Sequence, residues 1–220
     1  MLEMLEMLGA LATSPPPDCL VFGVRVIQSP APGAAGENAP ISTVVEPERL
    51  VDQTAIRGVV RAAFAHHQSV ADLVDLIRAS PEYVPDLALV ARVDDEIAGF
   101  VMLSHAELVK DSGARHRVLT LSPLAVTPVM QGRGIGSALV RTGVREAGRL
   151  GEQLVLLEGS PRYYPRFGFR DCRLFGIQIN LPDWAPPEAG MVFHLSAYDG
   201  RARGRLVYPP AFAAVGAGGP

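Results

Sequence analysis

Beyond residue 40, the chain alternates short β-branched or apolar runs with stretches that have helical periodicity. This alternation is typical of an α/β domain in which helices cover the faces of a sheet. The runs predict strands at 41–45, 87–91, 97–103, 117–126 and 153–157, with further strands starting at 169 and 191. The periodic stretches predict helices at 50–64, 70–79 and 134–150 and a short one at 161–167. Asp94 and Asp95 form a two-residue turn, so the strands on either side of them should make a hairpin.

The chain has 220 residues, of which 48% are hydrophobic, and this is enough for one packed domain with extensions. Residues 1–40 begin with repeated Met-Leu-Glu and end in a stretch rich in Pro, Gly and Ala. We therefore expect a poorly ordered N-terminal extension, in which 19–27 can add one short strand. The domain itself is expected to span 41–213, and a flexible tail should follow at 214–220.

Composition excludes several classes of protein. A formal net charge of -3 gives no basis for nucleic-acid binding through bulk positive charge. The two cysteines, Cys19 and Cys172, are too few for a disulfide scaffold or a four-ligand zinc site, and Cys172 is expected to be a small core residue. No apolar run reaches about 18 residues. Because Glu3 and Glu6 also interrupt the apolar start, we expect neither a membrane span nor a secretory signal and predict a cytoplasmic protein.

The most informative segment is the predicted strand–turn–helix junction at 121–139, LSPLAVTPVMQGRGIGSAL. Glycines let a backbone approach a ligand closely, and the first amides of a helix have no partner within it, so such a junction can hold a phosphate. Arg133 adds a full positive charge. A dinucleotide fingerprint would require glycine at Ser137 or Leu139, and a Walker loop would require lysine after its last glycine. The only lysine, Lys110, lies upstream, so neither motif fits.

This junction resembles the acetyl-CoA-binding motif of the GNAT acetyltransferases, Q/R-x-x-G-x-G/A after a strand. Leu124-Ala125-Val126 end the strand, and Gln131-Gly132-Arg133-Gly134-Ile135-Gly136 lead into Ser137. The segment YYPRFGF at 163–169 resembles the family's Y-x-x-x-G-F segment. Together with the closing VYPPAF at 207–212, it is similar to the YhbS-like branch of the superfamily. The resemblance covers about 41–212 and does not extend to the N-terminal extension.

The resemblance implies a mixed, mostly antiparallel sheet with helices on both faces, splayed between its fourth and fifth strands. It implies transfer of an acetyl group from acetyl-CoA, the co-substrate, directly to a primary amine, with no metal. Carried over, Leu124 and Val126, with Ala125 between them, would offer backbone hydrogen bonds to the pantetheine arm. The pyrophosphate would be held by Gln131, Gly132, Arg133, Gly134, Ile135, Gly136 and Ser137.

The family's general acid corresponds to Tyr164, four residues before Gly168, with Tyr163 as the neighbouring alternative. A tyrosine pKa near 10 keeps the hydroxyl protonated at pH 7. It is also close enough to the pKa of a thiol for protonation of the leaving CoA thiolate.

The general base is left open by the sequence. His105 and Glu107 follow the predicted third strand, Glu158 ends the predicted fifth strand, and a chain of water molecules is a further alternative. The remaining histidines are expected at the surface or in loops: His66, His67, His116 and His194.

The implied acceptor is a small-molecule or peptide amine, and we expect a monomer or homodimer with neither nucleic acid nor membrane as a partner. Residues 176–190, which include Trp184 and several prolines, are expected to shape the access of the acceptor. Two other functions stay open on the same fold: a non-catalytic acyl-CoA-binding sensor, and an interaction module that uses the N-terminal extension as its arm.

Overall fold

The computed structural model describes residues 42–216 and two short strands of the N-terminal extension, β1 (Leu20–Val21) and β2 (Val24–Arg25). These two strands pair antiparallel, so the segment expected to add one strand contributes two. The rest of the extension and residues 217–220 of the predicted tail lie outside the described residues. Within the described part, none of the helices is both long enough and apolar enough to span a membrane.

Four antiparallel strands form the first half of a nine-stranded sheet: β3 (Val44–Pro47), β4 (Ala88–Val93), β5 (Glu96–Val109) and β6 (Arg115–Val126). The hairpin predicted from the Asp-Asp turn is β4–β5. Asp94 and Asp95 have φ angles of 50° and 65°, the positive values that a tight hairpin turn needs and that Asp tolerates. β6 continues through Ser122 and Pro123, where one extra residue forms a bulge against β5.

Five shorter strands complete the sheet: β7 (Leu154–Glu158), β8 (Arg170–Asp171), β9 (Ile177–Gln178), β10 (Gly190–His194) and β11 (Gly204–Val207). β7 is parallel to β6, β10 is antiparallel to β7, and β8 forms the far edge. β11 lies beside the second half of β5, where β4 has ended, and pairs parallel with β9. The sheet is therefore mixed and mostly antiparallel, which confirms the fold that the resemblance implies.

Helices cover both faces of this sheet: α1 (Gln53–Ala63), α2 (Ser69–Arg78), α3 (Ile135–Arg149) and α4 (Pro210–Ala214). Side chains of a strand alternate between faces, so Val101 and Leu103 of β5 pack in the cluster under α3, whereas Phe100 and Met102 pack with α1, α2 and α4. Gly143 lets α3 come close to the sheet, because a Cβ at this position would lie 2.9 Å from Leu103 Cδ1.

The structure corrects several predicted elements. The first strand lies at Val44–Pro47 rather than 41–45, and β5 continues to Val109 instead of ending at 103. The helix expected at 161–167 is a 3₁₀ turn at Tyr164–Phe167. The strand expected through Cys172 ends at Asp171, whose side chain accepts a hydrogen bond from the Arg173 N–H and caps another 3₁₀ turn. β9, β11 and α4 have no counterpart in the prediction, because elements this short carry no readable periodicity.

Candidate active site

Strands β6 and β7 pair over a short stretch and then diverge. Leu119 pairs with Val155 and Thr120 with Leu156, and among the described strands none pairs with β6 on this side beyond those residues. The unpaired edge of β6, residues 121–126, and the carboxyl end of β7 therefore border a gap between the two strands. Counted from β3, these are the fourth and fifth strands, so the gap is the splay that the resemblance implies.

The backbone of β6 presents hydrogen-bonding groups to this gap. The Thr127 N–H donates to the Ala98 carbonyl oxygen at 2.9 Å on the β5 side. In an antiparallel pair, alternate residues direct their N–H and C=O groups to opposite edges of the strand. Ala125 therefore also faces β5, whereas Leu124 and Val126 direct their backbone groups into the gap.

The glycine-rich turn follows β6 after a 3₁₀ turn at Pro128–Met130. Gly132 and Gly134 have φ angles of 77° and 86°, a region that glycine adopts without strain. A Cβ on either residue would have nothing within 4 Å, so glycine is needed here for conformation, and the space beside the turn is open. Gln131 Nε2 donates to the Val126 carbonyl oxygen at 3.0 Å, which fixes the turn against the end of β6.

Helix α3 begins directly after this turn, with Gly134 as its N-cap. The Ala138 N–H donates to the Gly134 carbonyl oxygen at 3.0 Å. The three preceding amides, of Ile135, Gly136 and Ser137, have no partner inside the helix and lie at the positive end of its dipole. The Ile135 side chain is buried in the cluster under α3 and anchors this end of the helix to the sheet.

Positive charge and an aromatic ring flank the start of α3. The Arg133 side chain is exposed and forms no ion pair or hydrogen bond with any described residue. Tyr163 Oη lies beside Gly136, 2.9 Å from the position that a Cβ would take, so glycine is needed there for close approach. The Arg166 guanidinium stacks on the Tyr163 ring, with Cζ 4.0 Å from the ring centroid.

Tyr164, the predicted general acid, is fully buried in the cluster under α3. Its ring packs on Gly159, just after β7, where a Cβ would overlap the ring at Cε2. The Tyr164 hydroxyl has no hydrogen-bond partner among the described residues. Burial raises the pKa of Tyr164 well above its usual value, so the hydroxyl stays protonated at neutral pH. An unpaired buried hydroxyl costs about 1–3 kcal/mol unless a water molecule or a ligand meets it.

Two of the three candidate bases have partners elsewhere. His105 and Glu107 lie within β5 rather than after it. His105 Nε2 lies 2.9 Å from Glu152 Oε1. Glu107 forms an exposed ion pair with Arg115 across β5 and β6. Both residues also pair with residues 117–119 of β6, away from the stretch 121–126 that borders the gap.

Glu158, the third candidate, is the last residue of β7 and is 2% exposed. Alternation directs its side chain to the face opposite Leu157, which packs with Tyr164 under α3. Glu158 Oε1 accepts a hydrogen bond from Tyr208 Oη at 2.5 Å, whereas Oε2 is buried without a partner among the described residues. Burial raises the pKa of Glu158 to about 7, against a smaller lowering by the Tyr208 hydrogen bond. The end of β7 thus has a hydroxyl group on one face and a carboxyl group on the other.

Tyr208 is the residue of this site that sequence reasoning missed. It follows the four-residue strand β11, which the sequence did not reveal, and its ring lies 4.7 Å from that of Phe212. The segment VYPPAF contains both residues, but from the sequence it served only as a mark of the family branch.

Other sequence predictions have mixed outcomes. Cys172 is a buried core residue, as predicted, and burial raises the pKa of its thiol to about 11. His66 and His67 are exposed between α1 and α2, as predicted, and His116 is partly exposed in β6. The surface or loop position predicted for His194 is wrong, because it is partly buried in β10 between two aromatic rings. Within the described part of the chain, no three His, Cys, Asp or Glu side chains are grouped to hold a metal.

The sequence profile described as the acetyltransferase (GNAT) family matches residues 59–169, half of the chain. The chain belongs to the GNAT acetyltransferase family. The matched region runs from α1 through the glycine-rich turn to the end of the Y-x-x-x-G-F motif, so it contains every element of the site except Tyr208.

Known proteins similar to this GNAT chain include one curated relative and two solved structures. The uncharacterized N-acetyltransferase YjhQ of Escherichia coli is 37% identical over 123 residues, which are 55% of the chain and 66% of YjhQ, just under two thirds of its length. YhbS of Escherichia coli, solved with CoA, has a TM-score of 0.70 at 24% identity. This match covers 81% of the chain and 96% of YhbS. A GNAT acetyltransferase of Brucella melitensis, solved with acetyl-CoA, has a TM-score of 0.62 at 27% identity. This match covers 78% of the chain and 98% of the Brucella melitensis protein. The likeness to YhbS is one of fold.

Proposed function

We propose that this protein is an acetyl-CoA-dependent N-acetyltransferase that moves the acetyl group directly to a primary amine. The observation that carries the proposal is the gap between β6 and β7, whose edge leads straight into the glycine-rich turn and the free amides of α3. A strip of backbone groups that ends at an anion site matches a pantetheine arm followed by a pyrophosphate. The Brucella melitensis relative, solved with acetyl-CoA, supports this ligand.

In this proposal the chain holds the co-substrate mainly through its backbone. Leu124 offers its N–H and C=O to the pantetheine arm, and Val126 offers its N–H because its carbonyl oxygen already accepts from Gln131. The amides at the start of α3 and the free Arg133 side chain face the pyrophosphate. Several aligned dipoles and one full charge give this site its direction as well as its affinity.

Tyr164 is the general acid in this scheme. Acetyl-CoA supplies the thioester whose sulfur needs a proton when the acetyl group leaves. The Tyr164 hydroxyl is held protonated by burial, and no described residue competes for its proton. Because burial raises the pKa of Tyr164, its proton stays on the oxygen until the departing thiolate takes it.

The acceptor approaches from the face opposite α3, because α3 and its turn occupy the other face of the gap. The acid on the α3 side and the carboxyl group of Glu158 on the opposite side then flank the acetyl group. This arrangement suits direct transfer, in which no side chain carries the acetyl group.

The test is a turnover assay that detects the free thiol of CoA. Acetyl-CoA is offered with a panel of primary amines, peptide N-termini and aminoglycosides, and products are identified by mass. We expect thiol release that depends on an amine and equals the amount of N-acetylated product. A sensor would bind acetyl-CoA and release no thiol with any amine, and that result would refute the proposal. A small-molecule or peptide acceptor, a monomeric or dimeric state and a cytoplasmic location stay predictions.

A further inference from the structure

We propose that Tyr208 is a positioning residue that holds Glu158 as the acceptor-side base. This inference rests on the proposed function, because it assigns the proton acceptor of that reaction. It starts from the hydrogen bond between Tyr208 Oη and Glu158 Oε1 and from the buried, unpartnered Oε2 of the same carboxyl group.

A strip of polar groups lies on this face of the sheet. The strand order β11–β5–β6–β7 places β5 and β6 between Tyr208 and Glu158. On those strands the paired residues Ser104 and Thr120 are both buried, and Ser104 Oγ has no partner among the described residues. Apolar clusters lie on either side of the strip. Two unpartnered buried polar atoms in an apolar face are costly unless a polar ligand or a water molecule meets them.

The charge of that ligand follows from the groups that face Glu158. They are Tyr208, from the segment after β11, and Cys172, from the turn after β8. Burial raises the pKa of both groups, so both are neutral at pH 7. Within the described residues Glu158 has no cationic partner, although a buried carboxylate normally has one. The ammonium group of an acceptor amine would supply this missing positive charge.

Tyr208 contributes by fixing which oxygen stays free. Its hydroxyl occupies Oε1, and its ring is held against Phe212, so Oε2 is left for the acceptor. The hydrogen bond also favours the charged carboxylate and thus lowers the pKa of Glu158 against the effect of burial. Without it, the carboxyl group would be protonated over a wider range of pH and would turn more freely.

The proton balance is complete with these groups. Glu158 takes one proton from the ammonium and later releases it to solvent. The neutral nitrogen forms a bond to the thioester carbonyl carbon, and the carbon–sulfur bond breaks. The sulfur takes the proton of Tyr164, and Tyr164 regains one from the nitrogen, so the products are an amide, a thiol and one released proton.

The test compares Tyr208→Phe with Tyr198→Phe. Tyr198 is a matched control, because its hydroxyl donates to the Ala202 carbonyl oxygen at 3.4 Å, away from Glu158. With n-propylamine as the probe and saturating acetyl-CoA, kcat/KM is measured from pH 5 to pH 9. We expect the wild-type rate to fall below about pH 7 as Glu158 is protonated. Tyr208→Phe should move this acidic limb up by about one pH unit, a loss of about tenfold at pH 6. Tyr198→Phe should leave the limb in place.

A second measurement does not depend on turnover. The carboxyl band of Glu158, identified by its absence in Glu158→Gln, is titrated by infrared spectroscopy in the whole protein. A midpoint near 7 that rises in Tyr208→Phe supports the hold of Tyr208 on the Glu158 carboxyl group. If no amine is acetylated, the proposed function fails, and the base role of Glu158 fails with it. If amines are acetylated but Tyr208→Phe shifts neither the acidic limb of kcat/KM nor the titration of the Glu158 band, the positioning role is overturned. The proposed function then still stands. If Tyr208→Phe does not fold, the Glu158→Gln variant decides. An unchanged affinity for acetyl-CoA together with a turnover about a hundredfold lower supports the role of Glu158. A turnover equal to that of the wild type overturns it.

Discussion

Replacing Tyr164 with phenylalanine should lower turnover without lowering stability. If the tyrosine had only a structural role, the same replacement would leave turnover in the folded protein near normal. The ring keeps its edge-on contacts with Tyr163 and Phe169, whose centroids lie 5.0 and 5.6 Å away. Because the hydroxyl has no hydrogen-bond partner among the described residues, Tyr164→Phe breaks no bond and removes a buried polar group. The free energy of unfolding should therefore stay constant or rise by about 1 kcal/mol. Turnover should fall by about 10²–10⁴, which raises the barrier by about 3–5 kcal/mol.

Three measurements on the same protein samples check this prediction. Denaturant unfolding gives the stability, the thiol assay gives kcat, and calorimetry gives the dissociation constant of acetyl-CoA, which should be nearly unchanged. Tyr163→Phe is the matched control, because that ring lies beside Gly136 at the start of α3. A kcat for Tyr164→Phe within about threefold of wild type would remove Tyr164 from the mechanism. A large loss in Tyr163→Phe instead would assign the proton to Tyr163.

Three further predictions follow from the turn, the end of β7 and the N-terminal extension. Gly134→Glu should abolish the binding of acetyl-CoA, measured by calorimetry, because it places a negative charge beside the phosphates. The control is Gly113→Glu, which should bind acetyl-CoA normally, because Gly113 has a similar φ of 83° but lies in the β5–β6 loop. Gly159→Ala should displace the Tyr164 ring, so kcat should fall and the free energy of unfolding should decrease by about 1–3 kcal/mol. A kcat equal to that of the wild type would contradict this packing. Removal of residues 1–40 should leave a folded, active domain by circular dichroism and thiol assay, because both motifs and the strands and helices of the nine-stranded sheet lie beyond them. Loss of folding would show that β1 and β2 are integral.

The strand, turn and helix of the proposed cofactor site could be predicted from the sequence because they are local. Strand, turn and helix follow one another at 121–139, and each carries its own signal: an apolar run, glycines that need positive φ, and helical periodicity. The structure adds the direction of the backbone groups of Leu124 and Val126, which depends on the register with β5. It also adds the bond from Gln131 to Val126 that fixes the turn.

The pair that we propose on the acceptor side could not be predicted in this way, because it is assembled from distant residues. Tyr208 and Glu158 are 50 positions apart, and they meet only because β11 pairs with the second half of β5. The greater length of β5 also places Glu107 in a paired strand beside Arg115 instead of in a cleft. Sequence patterns report a strand's own periodicity, but not which strand lies beside it or which face a late segment covers.

Direct transfer of the acetyl group can be tested by following the acetyl carbon itself. Enzyme is mixed with an equal amount of acetyl-CoA labelled with carbon-13 in the acetyl group, and its intact mass is recorded before and after an amine is added. We predict an unmodified protein at both stages, with the label in the N-acetyl product and an equal amount of CoA thiol released. Label bound to the protein before the amine is added, at Cys172 or elsewhere, or no label on any amine of the panel, would contradict direct transfer in the gap between β6 and β7.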